Sequence, residues 1–343
     1  MGSVKDLKVL KNPTKDQEGI GRFTFSDRYS VFDWGEMPDL IPHKGEAIAI
    51  LGAYFFEKFE KMGFKTHYIG LVEDGEAKKL SELKKPSNEM QIKLLRVLEP
   101  PLKDGNYDYS QYRDLKGNCL IPLELIYRNY IPEGSSVFGR LQRGEIELND
   151  LGLDEIPAPN EKLKTPILDV STKLEITDRY LKWDEAQAIS GLSSKEIEDL
   201  KNLLTVVNET ITSEFSKIDM INEDGKIEVG YNSPRDLILV DVIGTLDECR
   251  FTFESLPVSK EIARIHYRGS EWYEATEQAK AKNRAEWKNI CVVNPDPLPT
   301  KLKSLISQIY CACTNEITGQ EWFEGLPPLK EIITEIGREL NGK

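Results

Sequence analysis

The stretch from residue 226 to residue 250 constrains the fold more than any other part of this sequence. Two short apolar runs lie on either side of residues 231–236, whose Asn, Pro and Asp are turn formers, and this pattern predicts a β-hairpin. Side chains alternate between the two faces of a strand, so we expect Lys226 and Glu228 to share one face. Asp241 follows four apolar residues typical of a buried strand, which predicts its carboxylate at the edge of a core.

These polar residues admit two interpretations. Two carboxylates from paired strands can hold a hard cation, and Mg²⁺ usually takes one or two protein carboxylates together with the phosphate oxygens of a nucleotide. Lys226 would then meet the same phosphates as a point charge. Alternatively, Lys226, Glu228 and Asp241 are the polar ends of an ordinary hairpin, because short patterns of this kind also arise without function.

The length of 343 residues suits two domains. We predict an N-terminal β lobe over residues 1–119, with a polar insertion near 73–118, and a larger domain over 120–343. The net charge of −13 argues against broad binding to a nucleic-acid backbone. No apolar run approaches the roughly 20 residues of a membrane span, and the N-terminus lacks an apolar signal region, so we expect a cytoplasmic protein without a membrane partner.

Periodicity predicts most of the remaining elements. In the first domain we expect β structure over residues 1–35, a helix between Gly45 and Gly63, a strand over 66–72 and one short helix near 89–97. In the second domain we expect strands at 120–127 and 166–173, a long helix behind the capping box of Ser193 and Glu196, a helix from 259 through Lys280, and two helices over 302–340 broken at 325–328.

A Gly-Ser-Ser turn at residues 134–136 is a candidate anion site. Its backbone N–H groups and hydroxyls could face an anion, and Arg128 and Arg140 on either side supply positive charge. An ordinary surface loop explains the same residues equally well.

Eight segments, taken in order, resemble one family, the SAICAR synthetases (phosphoribosylaminoimidazole-succinocarboxamide synthases) of purine biosynthesis. Ser26-Asp-Arg-Tyr-Ser-Val-Phe-Asp33 is similar to the family's TDRxSAFD, and Ile41-Pro-His-Lys-Gly45 to its IPxKG. The other similar segments are 123–129, 134–140, 168–173, 226–228, 239–250 and 259–264. They keep the family's order over roughly residues 20 to 270, and ordered co-occurrence is far more specific than any single motif.

The resemblance implies an α+β fold in which a small kinase-like β lobe sits on a larger ATP-grasp-like domain, here with extra C-terminal helices. It implies a ligase that joins carboxyaminoimidazole ribonucleotide (CAIR) to L-aspartate while ATP is cleaved to ADP and phosphate. A carboxylate is a poor acyl donor, so the route would pass through an acyl phosphate, whose formation depends on positioning and charge neutralisation. ATP and Mg²⁺ are the implied cofactors, and the implied partners are small molecules. The resemblance is also compatible with a homo-oligomer.

The resemblance also assigns roles to individual residues. Glu228 and Asp241 would hold Mg²⁺, and Lys226, Asp247 and Lys173 would serve the chemistry. ATP would contact Lys226, Lys44 near the junction of the lobes, and a hinge at Pro122 and Glu124. The residues implied for substrate binding are Arg128, Ser135, Arg140, Arg250, Lys260 and Arg264. Without the resemblance, Arg128 could equally cap a strand end and Lys260 could lie on a solvated helix face.

Three departures from the family pattern keep other functions open. Residues 12–21 lack the usual GKxxxxY phosphate loop, Val242 replaces an acid, and Leu246 replaces a proline. A related ATP-dependent ligase with another carboxylate or amine would accommodate these changes. A catalytically silent nucleotide-binding protein, with the charged insertion as its partner surface, is the alternative from a different class.

Overall fold

The computed structural model describes residues 4–284 and 286–341 as two main β-sheets flanked by helices. The strands are β1 (Lys5–Lys11), β2 (Gly19–Phe25), β3 (Lys65–Thr66), β4 (Tyr68–Glu73), β5 (Glu76–Lys78), β6 (Glu89–Leu94), β7 (Leu102–Lys103), β8 (Asn106–Tyr107), β9 (Cys119–Tyr130), β10 (Lys162–Thr172), β11 (Tyr180–Leu181), β12 (Ile221–Tyr231), β13 (Leu237–Val240), β14 (Cys249–Phe253) and β15 (Leu256–Pro257). The helices are α1 (Lys44–Lys61), α2 (Ser136–Gln142), α3 (Trp183–Ser190), α4 (Ser194–Ser216), α5 (Glu261–Arg268), α6 (Glu271–Lys282), α7 (Trp287–Ile290), α8 (Thr300–Thr318) and α9 (Leu329–Asn341). Within this described part of the chain, none of the helices has the length and apolar character needed to cross a membrane.

The first sheet is antiparallel and has the strand order β1, β2, β6, β4, β5. Strand β6 covers the residues for which a short helix near 89–97 was predicted, so that prediction is wrong. Met90 and Ile92 are buried while Gln91 and Lys93 are not, which is the two-residue period of a strand. Pairing with β2 and β4 decides the conformation of a run too short to reveal its own period.

Helix α1 confirms the helix predicted between Gly45 and Gly63, and it packs against the first sheet. Its apolar residues recur every three or four positions, so that Phe55 and Phe59 are fully buried on one face. The helix ends before Gly63, whose φ of 93° glycine adopts without steric cost.

The second sheet runs β11, β10, β9, β12, β13, β3, with β14 beside β12 and β15 beside β14. The strands predicted at 120–127 and 166–173 are confirmed as β9 and β10, and the predicted hairpin is confirmed as β12 and β13. The capping box of Ser193 and Glu196 is confirmed at the start of α4. The two helices predicted over 302–340 are confirmed as α8 and α9.

One helix prediction in the second half of the chain is wrong. The continuous helix expected from 259 through Lys280 is two helices, because α5 ends at Arg268 and α6 begins after Ser270. The hydroxyl of Ser270 accepts a hydrogen bond from the backbone N–H of Tyr273 at 3.1 Å and so caps α6. Gly269 between them weakens helix continuation.

The register of the second sheet aligns its charged residues. Glu228 of β12 lies opposite Glu124 of β9, and Asp224 lies opposite Arg128. Residues two apart on a strand share a face, so Asp224, Lys226 and Glu228 form one polar row beside Glu124 and Arg128. This row positions the candidate site. Helix α8 packs along α1. The division of the chain into two domains at 119/120 stays a prediction.

A buried acid joins α4 to α1 and offers a test of this packing. Glu214 is 4% exposed and accepts hydrogen bonds from Tyr54 at 2.5 Å and Lys217 at 2.6 Å, with Lys58 at 3.0 Å. Burial by itself raises the pKa of Glu214, but hydrogen bonds from Lys217, Tyr54 and Lys58 outweigh burial and lower it to about 2. We expect Glu214→Gln to reduce the free energy of unfolding by about 1–3 kcal/mol at pH 7.

The pH dependence of this loss follows from the lowered pKa. Glu214 contributes its stability above its ordinary pKa of 4.5 and loses it as the pH falls towards 2, because the wild-type carboxylate then becomes protonated. Urea unfolding at pH 7, 4 and 2.5 should therefore show the two proteins converging. Glu209→Gln on the exposed face of α4 is the control and should change stability by less than about 0.5 kcal/mol. A constant difference at every pH would contradict the interpretation.

Candidate active site

A cavity of about 570 Å³ opens over the polar row of the second sheet. It is bounded by β9, β12, the start of α2, the turn before β14, and α5. Many of the residues predicted from the sequence line this one cavity: Glu124, Arg128, Ser135, Lys226, Asp247, Arg250, Lys260 and Arg264. The chain therefore brings residues from distant segments to a single concave site, which is where small molecules usually bind.

A cluster of lysines and acids forms one wall of the cavity. Glu124 accepts hydrogen bonds from Lys173 at 3.0 Å and Lys226 at 2.9 Å, and Lys173 also pairs with Glu228 at 2.6 Å. Burial lowers the pKa of Lys173, but the charges of Glu228 and Glu124 outweigh it, so the pKa is raised. The charge of Glu248 raises the pKa of Lys226 despite burial. Both ammonium groups therefore stay protonated beside the cavity.

Asp241 follows strand β13 in a left-handed conformation with a φ of 65°. Its carboxylate forms an ion pair with Lys5 of β1, and its carbonyl accepts a hydrogen bond from His67 Nε2 at 3.1 Å. Burial and the charge of Asp241 raise the pKa of Glu228, whereas Lys5 outweighs burial and lowers the pKa of Asp241. In the described residues, no group of three or more acids, histidines or cysteines is arranged to hold a metal.

Three arginines and two aspartates form a second group beside this cluster, the arginine wall, of which Arg128, Arg250 and Asp224 line the cavity. Arg128 contacts Asp169 at 3.4 Å and Asp224 at 3.3 Å, Arg140 binds Asp169 through two bonds of 2.6 and 3.2 Å, and Arg250 donates to Asp224 at 2.8 Å. Arg128 and Arg140 are 2% and 3% exposed. Within this group three guanidinium groups share two carboxylates, and Nε of Arg128 has no hydrogen-bond partner among the described residues. Such a wall suits an anion.

A third group of residues surrounds Asp247, which lines the cavity. Lys44, at the start of α1, donates to Asp247 at 2.6 Å, and Tyr310 of α8 donates to the other oxygen of Asp247 at 2.6 Å. Lys260 lines the cavity beside them, and burial lowers its pKa although the charge of Asp247 opposes that shift. Arg264 lies one helical turn further along α5.

Six predicted residues contribute to the site without lining the cavity. Lys173 and Glu228 belong to the lysine and acid wall, and Lys44 lies behind Asp247. Pro122 is in β9, where its carbonyl accepts a hydrogen bond from the backbone N–H of Lys173 at 3.1 Å. Arg140 and Asp241 reach the site through their ion pairs.

Sequence reasoning missed four residues of this site. Asp224 had a detectable signal, because it precedes Lys226 by two positions and shares its face. Asp169 is an acid inside a buried strand, which is also a signal. Lys5 and Tyr310 had none, since their partners are 236 and 63 residues away along the chain.

Comparison with known proteins identifies close relatives over most of the chain. A family model described as SAICAR synthetase matches residues 8–278. A protein of Archaeoglobus fulgidus, provisionally named phosphoribosylaminoimidazole-succinocarboxamide synthase, is 51% identical over 336 residues, which is 98% of each chain. The Thermoplasma acidophilum protein named phosphoribosylaminoimidazole-succinocarboxamide synthase is 31% identical over 326 residues, covering 92% of this chain and 99% of its own.

Solved structures resemble the chain in fold. The SAICAR-synthase from Saccharomyces cerevisiae complexed with SAICAR has a TM-score of 0.63 at 20% identity and covers 94% of both chains. A SAICAR synthetase in complex with ADP has a TM-score of 0.55 at 22% identity, covering 87% of this chain and 99% of its own. These likenesses confirm the predicted α+β fold.

Proposed function

The chain belongs to the SAICAR synthetase family, and from this membership we propose that it joins CAIR to L-aspartate at the expense of ATP, giving SAICAR, ADP and phosphate. Its relatives are named as synthases, so the chain is a ligase. The observation that carries the proposal is the single cavity over the polar row, in which arginines lie towards one end of the row and protonated lysines towards the other. One end suits an anionic ribonucleotide, and the other suits the phosphates of ATP.

We assign the ribonucleotide to the arginine wall. Arg128 and Arg250 present guanidinium groups that match phosphate or carboxylate oxygens, and the hydroxyl of Ser135 lines the same part of the cavity. Arg140 is bound to Asp169 through two hydrogen bonds and supports Arg128 from behind. Lys260 and Arg264 would hold the carboxylates of L-aspartate.

Glu228 and Asp241 fit a divalent cation that binds together with a nucleotide. The two acids lie close enough for the charge of Asp241, together with burial, to raise the pKa of Glu228. Mg²⁺ takes one or two protein carboxylates and completes its shell with phosphate oxygens and water, so a pair is a sufficient donor set. When bound, Mg²⁺ would neutralise charge on the phosphates. Lys5 of the first hairpin already reaches Asp241, so we infer that this lysine substitutes for part of the missing phosphate loop.

The chemistry follows from these positions. A carboxylate oxygen of CAIR attacks the γ-phosphorus of ATP, the bond from that phosphorus to the bridging oxygen breaks, and ADP leaves. Lys226 and Lys173, both protonated, neutralise charge on the transferring phosphoryl group. The amine of L-aspartate then attacks the acyl carbon, the bond from that carbon to the phosphate oxygen breaks, and the departing phosphate takes up the proton that the amine loses.

The remaining predictions belong to the same proposal. The carboxylate of Glu124 already accepts hydrogen bonds from Lys173 and Lys226. A contact with the adenine of ATP near Pro122 would therefore come from backbone atoms of β9. We also propose that the chain divides into two domains at 119/120 and works in the cytoplasm.

The alternative is a related ligase with another amine. The reason for considering this alternative is that Val242 and Leu246 replace residues typical of the family. Both side chains are buried in the hydrophobic core, and neither lines the cavity. These departures therefore concern packing rather than the cavity wall. This supports L-aspartate as the amine.

Phosphate release tests the proposal. Purified protein with ATP, Mg²⁺ and CAIR should release phosphate at a rate that depends on L-aspartate, with SAICAR formed in equal amount. Omitting CAIR should abolish the release. ATP binding without aspartate-dependent release would refute the assigned amine, and release with a different amino acid would support the alternative ligase.

A further inference from the structure

Tyr310 lies in the middle of helix α8, beyond residue 278, where the match to the family model ends. It is 2% exposed, and its hydroxyl donates to one carboxylate oxygen of Asp247 at 2.6 Å. Lys44 donates to the other oxygen at 2.6 Å. A helix outside the matched region therefore contacts a residue of the cavity wall directly.

Helix α8 is anchored on both sides of Tyr310. Ser307 donates to the carbonyl of Pro42 at 2.6 Å, and Thr314 donates to the carbonyl of Ala47 at 3.2 Å. These residues lie three positions before and four positions after Tyr310, so all three project from one helix face. That face packs on the start of α1, and the Lys44 ammonium lies 5.6 Å from the centre of the Tyr310 ring. The position of the hydroxyl is thus set by the docking of the whole helix.

This contact affects a charge that faces the cavity. Burial by itself raises the pKa of Asp247, but the charges of Lys44 and Lys260 and hydrogen bonds from Lys44 and Tyr310 hold it below its ordinary value. Asp247 lines the cavity together with Lys260 and Arg264. With two donors in place, its carboxylate can move little and presents its remaining lone pairs to the cavity as an acceptor.

We propose that Tyr310 is a positioning residue and that, with Lys44, it holds Asp247 as a fixed, ionised acceptor for the amino group of the incoming amine. Helix α8 is then part of the active site. The identity of the amine rests on the proposed function, whereas the action of Tyr310 on Asp247 does not. An amine held by a fixed carboxylate next to the acyl carbon gains the advantage of orientation.

Tyr310→Phe is the test, because it removes the hydroxyl and keeps the ring. We expect kcat/KM for L-aspartate to fall roughly 10- to 100-fold, as for the loss of one hydrogen bond to a charged group, while KM for ATP changes little. Without that hydrogen bond the pKa of Asp247 rises, so the acid limb of the pH profile should move to higher pH. A purely structural role would lower the unfolding temperature without moving that limb.

Ser307→Ala is the matched control, since it removes another hydroxyl of α8 that anchors the helix but does not contact Asp247. It should leave the pH profile unchanged. A Tyr310→Phe protein with the wild-type profile and wild-type KM for L-aspartate would overturn the inference.

A second measurement is independent of the substrate. A ¹³C NMR titration of the aspartate carboxyl groups, with the Asp247 signal assigned from Asp247→Asn, should show a higher pKa in Tyr310→Phe. If Tyr310→Phe does not fold, 3-fluorotyrosine at position 310 is a stronger donor and should move the pKa of Asp247 down instead. An unmoved Asp247 signal would overturn the inference, whereas absent aspartate-dependent turnover in the wild-type protein would refute only the proposed function.

Discussion

Phosphate release is expected to fall roughly a thousandfold when Glu228 and Asp241 are replaced together, as Glu228→Gln with Asp241→Asn. Amides keep the size of the two side chains but lose the negative charge that a divalent cation requires. The ion pairs with Lys173 and Lys5 are lost as well, so both lysines are left without these partners. Binding of Mn²⁺ in the presence of ADP, measured alongside phosphate release, should weaken in parallel.

Glu214→Gln is the matched control for this double variant. It makes the same chemical change at another buried glutamate, between α4 and α1, and should reduce stability without abolishing turnover. Full activity in the double variant would favour the plainer interpretation, in which the two acids are the polar ends of a hairpin.

Arg128→Met is expected to reduce the free energy of unfolding by about 3–5 kcal/mol, because removing one partner leaves buried carboxylates short of positive charge. Asp169 and Asp224 are 3% and 5% exposed, and Arg128 is the residue that joins them. The same substitution removes a guanidinium from the cavity wall, so the ribonucleotide should bind far more weakly. Urea unfolding and calorimetric titration with CAIR measure the two effects separately.

Arg140→Met distinguishes the contribution of a buried arginine to stability from a contribution to ribonucleotide binding. Arg140 is equally buried and contacts the same Asp169, but it does not line the main cavity. Its loss should destabilise the protein by a similar amount and weaken ribonucleotide binding less than the loss of Arg128. Equal binding defects in the two variants would indicate that Arg128 acts through the scaffold alone.

The sequence predicted well wherever the decisive interactions are local. The capping box of Ser193 and Glu196 lies within one helical turn of α4, and that helix forms where predicted. The shared face of Lys226 and Glu228 follows from strand geometry, and the neighbouring β13 completes the predicted hairpin. The ordered motifs led to the family, which the relatives confirm.

One of the two wrong predictions arose where distant residues decide, and the other where a local signal was overlooked. Residues 89–94 form the middle strand of a sheet because β2 and β4 satisfy their backbone groups from both sides, and neither neighbour is visible in a local window. The break between α5 and α6 depends on Gly269 and the Ser270 cap, a local signal that is present in the sequence.

The sequence by itself determined the elements whose hydrogen bonds and periodic faces lie within a few residues, and the set of charged residues in the ordered motifs. Only the tertiary structure decided which charges meet. Lys5 contacts Asp241 across 236 positions, and Tyr310 contacts Asp247 across 63. The physical reason is that a buried charge must find a partner in space, and the packing of helices and sheets, not the spacing along the chain, supplies it.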